Sequence, residues 1–517
     1  MNTLNARLIC TMCGVVLFTG VALCTPVASA LELTEHVHRY TPENGLRVIM
    51  VVRDYAPIIS FQLMFDAGGI DEPDGFGGIA HMVEHMAFMG TSSIGSLDIE
   101  KELFLLERIE EAADAYFGAV EEELPREEIE RLEQEFLEAR KEAQELAEPN
   151  VLARLFDRHG GRNYNAYTGY DFTSYVITLP ANRLQLFARI KADFMLDAVF
   201  RFFYEEVDVV KEERRQRNED DPTGYLMEKF LDKAFQVHPY GRPLIGSMEE
   251  ISRYRKSDAL DFWKERYYPN RAVFVMVGDL KPDEDLRIIE KYFGVILAGP
   301  EKAISIPQEP KQESERRLAL TYDAEPQILI GFHTPTYPER DAYVLDTVSA
   351  LLGRGRTSRL YRRLVTEDRL VLGVSTSNAF PGSREPNQLV IHATPRYPHG
   401  PEEVEEAIYE EIEILKRESV SEWELQKIKN QVRASYIRSL KSSSGLAHEI
   451  AYYELFLGGW EKIMEYPEII NSVTAEEVQK CIDRYMHESN RTVAILTTHH
   501  NSVGLMEMEG EILLQTP

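Results

Sequence analysis

Asn270-Arg271-Ala272-Val273-Phe274-Val275-Met276 returns near the other end of the chain as Asn490-Arg491-Thr492-Val493-Ala494-Ile495-Leu496. Each copy follows an amphipathic stretch that closes on a Tyr-containing turn, Arg266-Tyr267-Tyr268 or Arg484-Tyr485-Met486. A second echo lies upstream of each copy. Pro57 opens the apolar run Ile58–Phe65, and Pro326 opens Gln327–Phe332. Each run is followed by a helical pattern expected to end at a glycine, Gly90 or Gly353. Repetition over this distance predicts a duplicated α/β unit of domain size. Strands mixed with amphipathic helices in both halves predict an α+β fold: two tandem homologous sandwiches, each a mainly antiparallel mixed sheet flanked by helices.

Working outward, the segment 299–315 carries prolines and charges with no apolar period and reads as a linker. The first half then spans 31–298 and the second 316–517. Residues 1–30 read as a secretory signal: Arg7, an apolar run from Leu8 to about Cys24, then Ala28-Ser29-Ala30. The run is short for a membrane span, so an uncleaved anchor is the weaker reading. Cys10, Cys13 and Cys24 leave with the signal, and Cys481 has no partner for an internal disulfide. The expected location is the periplasm of a Gram-negative bacterium, with no integral span after signal removal.

The 517 residues carry a formal net charge of −29, which excludes nucleic acid as a general partner. Much of that charge is local, because Lys101–Glu148 holds 17 acidic and 6 basic residues. Leu103, Leu106, Ile109 and Ala113 recur there at helical spacing, and Pro125 opens a second stretch through Ile129, Leu132, Phe136 and Leu146. A projecting acidic helical hairpin, inserted at about 101–150, is expected. It is either a solvated arm or a partner-docking one.

The chemistry concentrates in His81-Met82-Val83-Glu84-His85. On a helix, His81 and His85 project from one face and can grip one metal ion, and Glu84 shares that face. A carboxylate beside a metal-bound water can take its proton. The order H-x-x-E-H is the inverzincin signature. Further on, Glu206 and Glu213 lie two turns apart on one helical face, with valines between them. Glu213 is a candidate third ligand, and Glu206 a carboxylate that orients a ligand. His36, His38, His159, His333, His392, His448 and the pair His499-His500 have no ligand spacing to this motif.

Gly77–Thr91 resembles the active-site helix of the pitrilysin-type metallopeptidases, the family of insulysin and the mitochondrial processing peptidase. Asn165-Ala166-Tyr167-Thr168, with Asp171, Thr173 and Tyr175 after it, resembles that family's substrate-holding edge strand. Glu206–Glu213, His238–Gly241 and Gly353–Leu360 match further family segments in order. The resemblance implies one zinc per chain on His81, His85 and Glu213, with Glu84 as general base. It implies that Asn165, Ala166, Tyr167 and Thr168 receive an extended peptide or unfolded protein as an added strand, inside an enclosed chamber.

Two departures stand out. His85 and Glu213 are unusually far apart, and the hairpin accounts for the excess. The Arg and Tyr that many members carry in the second half are replaced here by Val365 and Leu372, neither a hydrogen-bond donor. Aligned on Gly90 and Gly353, Val344, Thr347 and Val348 stand where His81, Glu84 and His85 stand in the first half. The resemblance therefore implies a dimer, either of this chain or with a homologous subunit supplying the Arg/Tyr pair. A zinc endopeptidase or oligopeptidase is the leading reading. A non-catalytic or partner-dependent subunit of a peptidase-like complex is the alternative, and a small-molecule hydrolase is a distant third.

Overall fold

The computed structural model describes residues 36–300 and 305–498. The signal reading at 1–30 and the pair His499-His500 lie outside the described residues, as does part of the 299–315 segment. The first sheet consists of β1 (Val37–Tyr40), β2 (Arg47–Val52), β3 (Ile58–Phe65), β4 (Arg162–Thr168), β5 (Thr173–Pro180) and β6 (Ala272–Gly278), in the order β1-β2-β6-β3-β5-β4. The second consists of β7 (Arg316–Thr321), β8 (Gln327–Thr334), β9 (Val371–Phe380), β10 (Asn387–Pro395) and β11 (Arg491–Thr497), in the order β7-β11-β8-β10-β9. The two echoed segments are β6 and β11, and they take the same slot. Each has a parallel neighbour on one side (β2 or β7) and an antiparallel one on the other (β3 or β8). β6 is buried at every residue, which is why its apolar run does not alternate.

Each sheet is covered on one face by helices of its own half and on the other by a helix from the opposite half. Helix Ser443–Phe456 sets Leu446, Ala447 and Ile450 against Ile49, Val51, Met64, Val273, Val275 and Val277 of the first sheet. Helix Pro222–Ala234 sets Leu226 and Phe230 against Leu329, Val390, Ala494 and Leu496 of the second. Gly331 of β8 admits that second helix, since a Cβ there would meet Phe230 Cζ at 2.4 Å.

Two expected details differ. The helix that follows β3 spans Ile79–Met86 and stops short of Gly90. After it the ladder tightens into three-residue bonds, Ala87 N–H to Glu84 O (3.1 Å) and Phe88 N–H to His85 O (3.1 Å), before Gly90 turns the chain at φ +91°. The acidic hairpin forms, as helices Ile99–Glu121 and Arg126–Gln144, but it docks rather than projecting freely. Its inner stripe is Leu105, Leu106, Ile109 and Ala113, while Leu103 points to solvent. Phe136 stands edge-on to Tyr204 (4.9 Å, 89°), and the Arg255 guanidinium lies 3.8 Å over the Phe117 ring. At its base the buried Arg201 donates to Glu102 (2.7 Å) and to the carbonyls of Met89, Thr91 and Ile94 (2.8–2.9 Å). Among the described residues, no helix is long and apolar enough to cross a membrane.

Candidate metal centre

The Ile79–Met86 helix is aimed from its first turn. Gly78 is left-handed (φ +85°), and a Cβ there would fall 2.0 Å from the Ile245 carbonyl oxygen, so only glycine fits. The buried Glu72 carboxylate accepts from the Gly78 and Ala80 amides, both at 2.9 Å. It satisfies two of the donors that every helix N-terminus leaves free. Burial raises the Glu72 pKa to about 8, against the pull of those amides. The sequence pattern does not single out Glu72. Its only signal is an acidic residue some turns before a glycine-led helix.

One turn apart on this helix, the rings of His81 and His85 lie 4.7 Å apart at 74°. Helix Phe203–Arg214 crosses them and brings two carboxylates. Glu213 Oε1 is 3.7 Å from His81 Nε2, and Glu213 Oε2 is 3.4 Å from His85 Nε2. One donor atom from each of His81, His85 and Glu213 lies within 4.8 Å of the others. Glu206 Oε2 is 2.9 Å from His85 Nδ1. That contact places the Nδ1 proton toward Glu206 and leaves Nε2 as the nitrogen on the Glu213 side, where a metal would bind. The residues fit a zinc ion. Donors about 2.1 Å from a tetrahedral zinc are about 3.4 Å apart, and two imidazoles plus a carboxylate leave a fourth position open.

The electrostatics agree with that fit. Burial, with the neighbouring His85, lowers the His81 pKa to about 4 and leaves a neutral imidazole. Burial would also lower His85, but hydrogen bonds to Glu206 and Glu213 outweigh it and raise it to about 9. The hydrogen bond from His85 pulls Glu213 down to about 2 against its burial. A positive charge is thus favoured on the His85 ring, between the two carboxylates. Arg217, itself largely exposed, also reaches Glu213 Oε1 at 2.8 Å.

Glu84 is buried beside the histidines. Burial raises its pKa, and a hydrogen bond from Thr168 Oγ1 at 2.7 Å opposes the rise. Thr168 ends β4, which among the described residues is the outermost strand of the sheet. Alternation along β4 sends Ala166 and Thr168 toward the Glu84 side. Tyr167 faces the other way, where its hydroxyl meets Gln62 (2.9 Å) and His448 (3.0 Å). Asn165 is exposed. Beneath Glu84 the fully buried Lys191 ammonium lies 4.2 Å over the Tyr175 ring without a hydrogen-bond acceptor, and burial lowers its pKa to about 7. Nothing in the local sequence signals that placement.

In the second half, Val344, Thr347 and Val348 are fully buried on helix Arg340–Gly353. Val365 packs at the edge of that core, and Leu372 is exposed on β9.

Two family models match the chain. One, described as insulinase (peptidase family M16), covers residues 47–112 and 121–248, and the peptidase M16 inactive-domain model covers 255–432. The chain is 26% identical over 482 residues to a protein of Helicobacter pylori named zinc protease PqqE, spanning 90% of this chain and 95% of that one. It superposes on the crystal structure of a protease from Helicobacter pylori with TM-score 0.74 and 25% identity, over 89% of this chain and 99% of the other. The first half of the periplasmic protease PqqL from Escherichia coli shares the fold, with TM-score 0.67 at 17% identity over 92% and 94% of the two chains.

Proposed function

The chain belongs to the insulinase family of peptidases, M16, and on that premise we propose that it is a zinc-dependent endopeptidase acting on peptides or unfolded proteins. The observation that carries this reading is the convergence of His81, His85 and Glu213, with the buried Glu84 beside them. Bound zinc would supply Lewis acidity, polarising a scissile carbonyl and acidifying a water. Glu84 then accepts the proton of that water. Its pKa, raised by burial, brings it nearer the working pH of a general base. Thr168 holds one Glu84 oxygen, and Glu206 holds the His85 ring. The outer edge of β4 offers the backbone of Asn165 and Ala166 to an extended peptide, a mode that reads backbone more than side chains.

The test compares wild type with Glu84→Gln. Both should bind one zinc per chain, and cleavage of an unfolded protein should fall by about 10²–10⁴-fold in the variant. Stoichiometric zinc with cleavage indifferent to Glu84 would overturn the enzyme reading.

The second reading, a partner-dependent subunit, draws on Val365, Leu372 and the inactive-domain match over 255–432. Under it, activity appears only when a homologous chain supplies the missing donors. Export to the periplasm, the 31–298 and 316–517 division, and a dimeric chamber belong to the same proposal.

A further inference from the structure

The turn between β9 and β10, Pro381–Pro386, reaches out of the second half and into the first. The Ser383 and Arg384 amides donate to Asp171 Oδ2 at 2.7 and 3.1 Å. The Tyr240 hydroxyl donates to Asp171 Oδ1 at 2.6 Å. The Arg384 guanidinium then lies 2.9 Å from Asp66 and 3.2 Å from both oxygens of Asp71. The Asp71 side chain has no exposure, and the partly buried Arg384 cation lies between it and the partly exposed Asp66. Gly382 lies against the same pocket, where a Cβ would meet Asp171 and Tyr240 at 2.6 Å.

From this knot two short arms lead to the metal centre. One runs through Asp71 to its neighbour Glu72, whose carboxylate holds the first turn of the His81 helix. The other runs from Asp171 back along the chain to Thr168, which holds Glu84. The arms are tied together by Gly69 N–H to Gly169 O (3.1 Å) and Ile70 N–H to Tyr170 O (2.9 Å).

We propose that Arg384, supplied by the half without the metal-ligand pattern, is a positioning residue that sets the His81 helix and the Glu84–Thr168 pair in register. The inference rests on the metal-site reading above. Removing the guanidinium leaves Asp66 with Arg271 at 3.7 Å. It leaves the fully buried Asp71 carboxylate, among the described residues, with only the Gly68 amide donating to it, and the 66–72 loop must open to hydrate it. Glu72 is the next residue, so its grip on Gly78 and Ala80 loosens with the loop.

The experiment uses the full-length chain in four versions: wild type, Arg384→Met, Arg384→Lys and Arg359→Met. Arg359 pairs with Glu411 and Glu424 in the second half, away from this loop, and reports the cost of merely losing an arginine there. Zinc affinity is measured by chelator competition, and amide exchange over residues 77–86 is measured on the zinc-free protein. Arg384→Met should weaken zinc by about 10–100-fold, the range for residues that support ligands. It should speed exchange at Gly78 and Ala80 by about tenfold through easier local opening. Arg384→Lys should recover part of both, and Arg359→Met should change neither. Should Arg384→Met fail to fold, Asp171→Asn must move both readouts in the same direction. Zinc affinity and exchange within twofold of wild type in Arg384→Met, or in Asp171→Asn, would overturn the proposal. A wild type that binds no zinc sinks the proposed function instead, and exchange in the zinc-free chain still decides the role of Arg384.

Discussion

His85 is held at both ring nitrogens, by Glu206 at Nδ1 and by Glu213 at Nε2. Replacing Glu206 by Ala frees the ring without a helix penalty, and zinc affinity should drop by about 10–100-fold while the circular dichroism spectrum is retained. The pentapeptide and the 206–213 pair were legible in the sequence because helical spacing alone puts each set on one face. Glu72 and Lys191 were not, since their partners lie on other elements. Two other histidines set an acid limit on the fold. Burial lowers His238 and His333 to about 4 each, and both sit where helix Pro222–Ala234 meets the second sheet. Above about pH 6.5 these imidazoles are neutral folded or unfolded and cost nothing. Below that, the unfolded chain takes up protons that the folded chain refuses, so the contribution of these two groups to stability falls as pH drops from about 6.5 through 4. Urea midpoints of His333→Gln should therefore fall less, or rise more, than those of wild type across that range. Parallel profiles for the two proteins would contradict it.

At the scale of elements, β8 and helix Pro222–Ala234 depend on one missing side chain. A Cβ on Gly331 would meet Phe230 Cζ at 2.4 Å and Gln388 Oε1 at 2.3 Å. Gly331→Val should therefore lift the helix and cost about 1–3 kcal/mol, as overpacking does. Denaturant unfolding measures the loss, and Phe230→Leu in the same chain should restore part of it. An unchanged midpoint for Gly331→Val would show that the helix is not seated there. The echo of β6 and β11 was readable because both strands are buried on two faces and remain continuously apolar. The hairpin is readable as two helices, but its inward stripe runs through Leu105 and not through the Leu103 that the helical spacing predicts. Its docking was hidden, because Tyr204 and Arg255 are remote in sequence and carry no periodic signal of the contact.

Across the whole molecule, the two halves exchange helices. Six apolar side chains of the first sheet are covered by helix Ser443–Phe456. At roughly 1.5–3 kcal/mol for each buried side chain, that face is worth on the order of 10 kcal/mol, comparable to the stability of a whole domain. Residues 31–298 expressed alone should therefore aggregate or bind a hydrophobic dye, and co-expression with 299–517 should recover a one-to-one complex. A monomeric first half melting cooperatively near the full-length temperature would refute this dependence. The duplicated α+β plan, the helical hairpin and the five-residue core of the candidate metal site are legible in the chain alone. All of these are written in periods of two or of three to four residues, or in repeats along the chain. Long-range packing is what brings Glu213 to both histidines, braces the site with Glu72 and Thr168, and makes each half shield the other. Apart from Glu72, a few residues from the amides it holds, those contacts join residues tens to hundreds apart, and a residue's local neighbours do not encode which distant surface will exclude water from it.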